Sequence, residues 1–305
     1  MSFQKASLME IRILASESLG VRSMAVLVRT RDLVLLIDPG AALGPKRYGL
    51  PPDEVEWRRL RLLKQEIRDL LREEAQAAVI THYHYDHYDP EWARDFRGKR
   101  VFLKDPQHNI NRNQAKRARE LLKRFSAHGV FWEVAEGRRE LFGETEIVFS
   151  GPLNHGPESR FGAVVAVAVK SGGHVFLHTS DVSGPVQEET LRFIYEHEPD
   201  VIFIDGPGTY LGPRFGLEAA EVARKNLTRL VEDLRPSFLI LDHHLLRDLS
   251  WERWAAPIFE AAEKRQTRVL SGAEFMGSKP ILLEALRRDR YKNRQKTVDT
   301  LLIPG

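Results

Sequence analysis

The segment from Thr81 to His87 constrains this chain most, because four of its side chains bind divalent metal ions well. These are His82, His84, Asp86 and His87. Residues 77–80 are apolar, which predicts a short buried strand that ends where the segment begins. Alternate residues of an extended segment point to the same side, so the first two histidines can bind one ion. The other two side chains lie past the turn and can reach a second ion, and we therefore predict a metal site at the end of this strand.

The pattern H-x-H-x-D-H resembles the signature of the metallo-β-lactamase superfamily, which places three further ligands in a fixed order. These ligands are a third histidine, a bridging aspartate and a last histidine, each after a strand. His155 lies in a turn with glycine and proline after an apolar strand, and Asp181 lies at the end of a later strand. The last histidine is offered twice, as His243 and His244, after the apolar residues 238–241. The order of these motifs favours metal binding over a set of structural histidines.

The resemblance implies a site with two metal ions. His82, His84 and His155 would bind the first ion, Asp86, His87 and either His243 or His244 would bind the second, and Asp181 would bridge them. Zinc is the expected metal, with iron or manganese as alternatives, because imidazole and carboxylate groups suit all three. Two such ions about 3.5–4 Å apart activate water and hold the oxygens of an ester. Asp86 and Asp181 are therefore candidate catalytic residues as well as ligands, and we expect all of these side chains to converge on one cleft.

Three further residues follow apolar strands and are candidates for the same site. Asp38 ends the apolar run 33–37, like the aspartate of the superfamily's first motif, and would hydrogen-bond a ligand or the loop that carries one. Asp205 follows the strand 201–204 and would orient a ligand or be an additional one. Tyr210, in the same loop, would donate a hydrogen bond to a developing oxyanion or a leaving group. The alternative for all three is a plain position in a turn or a solvent-facing loop.

Other polar residues near the motifs have weaker interpretations. Four basic residues in predicted loops could hold a phosphate or could simply face solvent: Arg22, Lys46, Arg47 and Arg160. Three tyrosines are expected to pack around the site: Tyr83, Tyr85 and Tyr88. Five histidines are expected to be structural or to lie on the surface: His108, His128, His174, His178 and His197. The basic stretches 116–124 and 287–296 are expected to form solvated helix faces.

Periodicity predicts strands that alternate with amphipathic helices. Strands are expected over 10–16, 23–38 and 237–241 and within 130–180, and helices over 53–76, 111–125, 216–234, 251–265 and 280–291. This order, in two successive halves, fits the α/β fold of the superfamily, a four-layer αββα sandwich with the metals at one sheet edge. We expect a single domain over 9–291 and a C-terminal tail over 292–305.

Composition limits the class of protein. With 305 residues, of which 42% are hydrophobic, the chain can bury a sizeable core, yet no apolar run reaches the length of a membrane span. The N-terminus lacks the features of a signal peptide, so a cytoplasmic location is expected. The absence of cysteine excludes disulfides and thiolate ligands. The charged fraction of 29%, rich in arginine, is typical of thermophilic proteins. The formal charge of +3 comes with no recognisable nucleic-acid motif, so a nucleic-acid partner is possible but unsupported.

These features predict a dinuclear metal-dependent hydrolase of ester bonds in small molecules, with phosphodiesters or phosphotriesters as the leading substrates. A nuclease acting on RNA or DNA and a lactone or thioester hydrolase are alternatives. An alternative of another class is a non-catalytic metal-binding protein or an iron-based sensor. The oligomeric state is left open. The segments 15–23, 38–40, 43–45 and 242–248 also resemble an uncharacterised, mainly archaeal group of predicted metallo-hydrolases.

Spacing and ligand identity narrow the subgroup. From Asp181 to His243 is 62 residues, which is too short for the inserted domain of the β-CASP nucleases. His84 stands where flavodiiron oxygen reductases typically have glutamate, which disfavours a redox role with two iron ions. The tripeptide 242–244 also matches the motif of the DHH phosphoesterases, but only 61 residues follow His244, so we interpret this match as accidental.

The adjacent histidines lead to a structural expectation. If strand 237–241 stays extended through the pair, the two rings point to opposite sides and only one faces the cleft. Most superfamily members carry the last ligand directly after the apolar run or after one further residue. Asp242 would fill that intervening place, which favours His243 over His244. Asp242 itself would anchor the loop or orient a ligand.

Overall fold

Two β-sheets form the centre of the part of the chain that the computed structural model describes, residues 9–293. Within this range the first sheet has six strands in sequence order: β1 (Met9–Ser16), β2 (Met24–Thr30), β3 (Val34–Ile37), β4 (Ala77–Ile80), β5 (Arg100–Leu103) and β6 (Glu133–Val134). Strands β1 to β3 pair antiparallel, and β3 to β6 pair parallel. The first sheet therefore combines a hairpin region with a parallel region.

The second sheet combines the same two kinds of pairing. The remaining strands of residues 9–293 are β7 (Arg139–Phe142), β8 (Thr145–Phe149), β9 (Leu153–Asn154), β10 (Ala163–Val164), β11 (Val167–Ser171), β12 (His174–His178), β13 (Val201–Ile204), β14 (Phe238–Leu241) and β15 (Arg268–Leu270). The sheet order is β15-β14-β13-β12-β11-β8-β7, while β9 and β10 pair as a separate ribbon. Strands β12 to β15 pair parallel to one another, whereas the pairs β7–β8, β8–β11 and β11–β12 are antiparallel.

Amphipathic helices follow the parallel strands. Those that begin and end within the described range are α1 (Glu54–Glu73), α2 (Arg112–His128), α3 (Glu188–His197), α4 (Leu217–Leu234), α5 (Trp251–Arg265) and the short α6 (Gly272–Phe275). Helix α1 begins at a capping box formed by Asp53 and Glu56, which satisfies backbone N–H groups that a helix start leaves unpaired. Its buried residues Leu60, Leu63 and Ile67 recur at helical spacing, so one face of the helix packs against the sheet.

The two sheets face each other across a shared core. The rings of Phe102 in β5 and Phe149 in β8 lie 5.1 Å apart between their centroids. Strand β13 shows the layering: Phe203 belongs to the core between the sheets, whereas Ile202 and Ile204 pack in the cluster that contains the buried faces of α3, α4 and α5. Alternate residues of a strand point to opposite faces, so one strand serves both layers. The predicted αββα sandwich is confirmed.

Two predicted elements differ from the structure, and one helix of the structure was not predicted. The strand predicted over 23–38 is the hairpin of β2 and β3, because the Thr30 hydroxyl accepts from the Leu33 backbone at 3.1 Å and stabilises a turn. Helix α3 was not predicted; it is only ten residues long and begins with two glutamates. The helix predicted over 280–291 is helical only from residue 287, because the backbone of Ile281 donates instead to Ser18 O at 2.7 Å.

Both ends of the chain lie outside the described residues. Residues 1–8 lie outside it, and so do residues 294–305, which make up most of the predicted C-terminal tail. Among the helices of residues 9–293, none combines the length and apolar character needed to cross a bilayer.

Candidate metal centre

The predicted ligands lie at the edge where the parallel strands end. Strand β4 leads into His82, β12 leads into Asp181, and β14 leads into His243. His155 comes from the separate two-stranded ribbon, directly after the short strand β9. Loops at the carboxyl ends of parallel strands are the usual location of sites in α/β folds, because those ends meet at one edge. The ligands therefore converge on a single cleft, as the motif order predicts.

Three groups of side chains bring ligand atoms within 4.8 Å of one another. The first group is His82, His84, His155 and Asp181; the second is Asp86, His87 and His243; the third is Asp181, His243 and His244. The first two groups reproduce the two sets predicted from the sequence. Asp181 and His243 each belong to two groups, so the sets share one continuous centre.

The carboxylate of Asp181 lies between the two sets. Its Oδ2 atom is 3.6 Å from His82 Nε2, 3.5 Å from His155 Nε2 and 3.7 Å from His244 Nε2. Its Oδ1 atom is 3.2 Å from His87 Nε2 and 3.4 Å from His243 Nε2. Each oxygen thus faces a different set of nitrogens, which is the arrangement that a bridging carboxylate requires.

Asp38 holds the loop that carries the first ligands. Its Oδ1 accepts from the Thr81 backbone at 2.8 Å, and its Oδ2 accepts from the Thr81 hydroxyl at 2.7 Å and lies 2.8 Å from Nδ1 of His87. A proton on Nδ1 leaves Nε2 of His87 free to face the centre. Gly40 permits the approach, since a Cβ there would lie 2.2 Å from the backbone nitrogen of Tyr88. Asp38 therefore bonds both a ligand and the loop, as predicted.

Asp205 holds a loop and a histidine at the second sheet, as Asp38 does at the first sheet. It accepts from the backbones of Ser183 at 2.7 Å and Gly184 at 3.1 Å, and its Oδ2 lies 2.7 Å from Nδ1 of His244. Burial raises the pKa of Asp205 to about 8, and the nearby Asp181 adds to the shift. Asp205 is not in any of the ligand groups found in residues 9–293. It orients a histidine, and the alternative of an additional ligand has no support in this geometry.

Unpaired polar atoms at the centre test whether metal ions fit. Nε2 of His87, Nε2 of His155 and Oδ1 of Asp181 are buried and make no hydrogen bond within the described chain. Leaving such an atom unsatisfied costs roughly 1–3 kcal/mol. Imidazole nitrogens and carboxylate oxygens are ligands for zinc, iron and manganese. Divalent ions would satisfy all three atoms, so the residues present fit the predicted metals.

The charge state of three of these histidines also suits a metal, whereas the adjacent carboxylates of Asp181 and Asp38 outweigh burial and raise the pKa of His87. Burial lowers the pKa of His84 to about 3, with His155 adding to the shift, and burial lowers the pKa of His243 to about 4 and of His244 to about 3. These rings are therefore neutral near pH 7, the form in which histidine binds metal. Burial opposes ionisation of Asp181, but the adjacent histidines outweigh it and hold the pKa of that carboxyl well below its ordinary value.

The two adjacent histidines do not point to opposite sides. The extended conformation ends at Leu241, and His243 has a φ of +40°, in the left-handed region. Both rings remain in the cleft with their centroids 4.5 Å apart, so the expectation of opposite orientations is wrong. Asp242 stabilises the turn by accepting from the backbones of Ser18 at 3.0 Å, His243 at 2.7 Å and Gly272 at 2.8 Å. Asp242 therefore anchors the loop, one of the two roles predicted for it.

The geometry predicts different consequences for the two histidines. Nε2 of His243 lies 3.6 Å from Asp86 Oδ2, within the second ligand group, whereas His244 is held by Asp205. We expect His243→Ala to lose about one ion per chain and His244→Ala to keep close to the wild-type metal content, as measured by inductively coupled plasma mass spectrometry. The reverse pattern would assign the second ion to His244 instead.

Arginines line the cleft beside the ligands, and the sequence predicted only Arg22 among them. Arg22 makes a bidentate pair with Glu284, at 2.7 and 2.6 Å. Arg247 places Nη2 at 3.1 Å from Nε2 of His243 and donates from Nε to Glu17 at 3.0 Å. Arg117 reaches the cleft from α2. Three arginines therefore line the same compartment as the candidate ligands, and Nη2 of Arg247 lies 4.0 Å from Oδ2 of Asp86.

The remaining predicted residues take varied positions. The Tyr210 hydroxyl accepts from Arg247 Nη1 at 3.4 Å, and the Arg47 guanidinium lies 4.4 Å from the Tyr210 ring centroid. Lys46 and Arg160 are exposed, and Arg160 pairs with Glu158.

Tyr83 and Tyr88 are buried in the core, whereas Tyr85 is exposed at the cleft. Of the histidines expected to be structural or exposed, His178 and His197 are buried and the rest are exposed: His108, His128 and His174.

The fold and the ligand geometry together define the class of protein, which is that of the metallo-β-lactamase fold. Two solved structures share this arrangement of the chain at low sequence identity, which shows the fold alone. Yeast PDE1 matches with a TM-score of 0.53 and 11% identity over 88% of this chain and 99% of that chain. An isothiocyanate hydrolase from Delia radicum gut bacteria matches with a TM-score of 0.51 and 14% identity over 82% of this chain and 94% of that chain.

Sequence relatives identify the family. The UPF0282 protein of Methanopyrus kandleri is 43% identical over 92% of this chain and 98% of its own length, and the UPF0282 protein of Methanocaldococcus jannaschii is 38% identical over 92% and 96%. No protein-family model matches the chain. The chain belongs to the UPF0282 family, which confirms the predicted resemblance to a mainly archaeal group.

Proposed function

We propose that this chain is a hydrolase that cleaves phosphodiesters of small molecules with two divalent metal ions, of which zinc is the expected metal. The observation that carries the proposal is the position of Asp181, whose two oxygens face two separate sets of histidine nitrogens. His82 and His155 would hold one ion and His87 and His243 the other, with His84 and Asp86 completing the sets. A complete ligand set supports catalysis over the alternatives of a non-catalytic metal protein or an iron-based sensor.

The cleft supports an anionic substrate over a lactone or a thioester. Its volume beside the ligands is about 320 Å³, and Arg22, Arg117 and Arg247 line it. Guanidinium groups match the geometry and the charge of phosphate oxygens, and a neutral ester would leave Arg117, which contacts no carboxylate within residues 9–293, without an anionic partner. Cavities of a few hundred cubic ångströms are typical of small-molecule sites. The size of the cleft thus supports a small molecule over a long nucleic acid, the alternative of a nuclease.

The reaction is a hydrolysis in which water attacks phosphorus. A P–O bond forms to the oxygen of water, the P–O ester bond to one alcohol breaks, and a proton from that water ends on the departing alcohol. Two divalent ions would supply the charge that activates water and neutralises the phosphoryl oxygens. Arg247, positioned by Glu17, lies beside His243 and can stabilise negative charge on the substrate. Tyr210, which accepts from Arg247, contributes by positioning it.

Metal removal tests the proposal. Dialysis against a chelator should abolish hydrolysis of bis(p-nitrophenyl) phosphate, and Zn²⁺, Mn²⁺ or Co²⁺ should restore it, because the attacking water would be activated by the metal ions. Circular dichroism of the chelated protein is the control for folding. A screen of p-nitrophenyl phosphate, a lactone, a thioester, a β-lactam and short RNA and DNA oligomers separates the alternatives.

Two outcomes would contradict the proposal. Full activity in protein whose metal content is below a tenth of an ion per chain would exclude the metal mechanism. Metal-dependent activity on the lactone or the oligomers, with none on the diester, would replace the substrate class and leave the metal centre unchanged.

A further inference from the structure

The cleft has two compartments on either side of the metal centre, and His155 and His244 line both. The arginine lobe is the compartment of about 320 Å³ lined by Arg22, Arg117 and Arg247. The apolar lobe is the compartment of about 150 Å³ whose large apolar residues are Phe161, Leu211 and Phe215, with Pro157 and Tyr210 beside them; the charged Glu158 and Arg214 also line it. A substrate held at the metal ligands would therefore have one environment on each side.

Arg117 is the cation in the arginine lobe that is available to a ligand. Arg22 is paired with Glu284 and Arg247 with Glu17. The contacts of Arg117 within residues 9–293 include no carboxylate: its Nη1 donates to Tyr83 O at 3.3 Å, and its guanidinium lies 4.5 Å from the Tyr85 ring centroid. Stacking on an aromatic ring fixes the plane of a guanidinium without using most of its donors. Arg117 is thus preorganised to bind an anionic group.

The apolar lobe presents large hydrophobic side chains to the solvent. Phe161 and Leu211 are 40% and 42% exposed, and the buried Phe215 forms the back of the compartment. Large apolar side chains grouped at a cleft mark a binding surface more than scattered exposed residues do. An apolar cavity of roughly 150 Å³ holds a benzene-sized molecule. The lobe therefore suits one aromatic ring or an alkyl group of similar size.

We propose that the substrate is a phosphodiester with two unlike arms: an aromatic or alkyl ester group that occupies the apolar lobe, and a second ester group with its own negative charge that pairs with Arg117. This inference rests on the proposed function, because it places the phosphoryl group at the metal ligands between the lobes. Charge complementarity assigns the arms, since an apolar arm against Arg117 would bury a guanidinium without a partner, which costs free energy.

Three chromogenic diesters that differ in one arm test the arginine lobe. All carry a p-nitrophenyl group, and the second arm is ethyl, 2-carboxyethyl or 2-trimethylammonioethyl. We expect kcat/KM of the metal-loaded protein to be highest for the carboxyethyl diester and lowest for the cationic one. Arg117→Ala should reduce the preference for the carboxyethyl over the ethyl arm by about tenfold or more, as expected for a lost charged hydrogen bond. The matched control Arg119→Ala, an exposed arginine on the same helix, should keep the wild-type preference.

Binding of phosphonates tests the apolar lobe without turnover. Calorimetry on metal-loaded protein should show tighter binding of phenylphosphonate than of methylphosphonate. Leu211→Ala should weaken phenylphosphonate by about three- to tenfold through lost apolar contact while leaving methylphosphonate unchanged. The control Leu62→Ala, exposed on α1, should alter neither affinity.

The outcomes separate this inference from the proposed function. Hydrolysis with no dependence on the charge of the arm, or a dependence that Arg117→Ala leaves intact, would overturn the assignment of the arginine lobe alone. Equal affinities for the two phosphonates would overturn the apolar lobe. No hydrolysis of any diester by protein with two bound ions would overturn the proposed function, and the calorimetry would still decide whether the apolar lobe binds as proposed.

Discussion

Replacement of Asp181 by alanine should remove metal from both halves of the centre and abolish hydrolysis. Each carboxylate oxygen lies within 3.7 Å of at least two histidine nitrogens, so one substitution takes a ligand from both sets. Loss of a residue that merely supports a metal ligand costs roughly ten- to a hundredfold in affinity or activity. Loss of the bridging ligand should exceed that range, to the order of a thousandfold in kcat/KM.

The comparison with His87→Ala makes this prediction specific. His87 faces only Oδ1 of Asp181, so its loss should release about one ion and leave the other bound. Metal content per chain and kcat/KM for a phosphodiester are the two measurements, with Asp233→Ala as a control, because Asp233 is an exposed carboxylate that pairs with Tyr195. If Asp181→Ala kept two ions and His87→Ala did not, Asp181 would not be the bridge.

The convergence of the candidate ligands could be predicted because the segments that carry them follow strands. His82 and Asp181 lie within a few residues of β4 and β12, so local sequence fixes their distance from a sheet edge. The convergence of those edges follows from the fold class, since parallel strands of a sheet end at the same side. The position of Asp38 after β3 follows from the same rule. The positions of these side chains at the sheet edge depend on local sequence pattern and on fold class, and both can be inferred from the sequence.

The turn at His243 could not be predicted, because distant contacts stabilise it. Asp242 holds this turn through Ser18 and Gly272, which are 224 and 30 residues away along the chain. The segments 15–23 and 242–248 were recognised as separate motifs, and the structure shows that they are partners: Ser18 bonds Asp242, and Glu17 bonds Arg247. The sequence signal for this contact was the presence of two polar segments, 15–23 and 242–248, that had been recognised without an interpretation of their contacts.

The two basic stretches illustrate a second limit. Both were predicted to form solvated helix faces, and this is wrong for Arg117, which lines the cleft, and for Arg287, which is fully buried. Helical periodicity shows which residues share a face, but it does not show what lies opposite that face. For α2 the partner is the metal-binding loop, and for the helix that starts at residue 287 it is the N-terminus of α1.

Replacement of Arg287 by alanine should be among the most destabilising single changes in the chain. Its guanidinium donates to Glu56 at 2.6 Å and to the backbone carbonyls of Gly44 at 3.0 Å and Leu50 at 3.1 Å. Removing one partner of a buried ion pair costs about 3–5 kcal/mol, because the other charge stays buried. Arg290 remains 3.6 Å from Glu56 and compensates in part, so we expect the lower end of that range. Denaturant unfolding monitored by circular dichroism gives the value.

Further variants separate the ion pair from a general loss of packing. Arg253→Ala removes an exposed arginine and should change the free energy of unfolding by less than about 0.5 kcal/mol. The double variant Glu56→Gln with Arg287→Met should be more stable than Arg287→Ala, because it leaves no unpaired charge in the core. If the double variant were the less stable of the two, the bonds to Gly44 and Leu50 would be the main contribution of Arg287.

The bonds of Arg287 to Gly44 and Leu50 fix the loop 44–50, which precedes α1. This loop carries Arg47, which donates to the backbone of Arg247 at the cleft. Loss of Arg287 should therefore lower kcat/KM as well as stability, although its side chain is not among those that line the metal cleft.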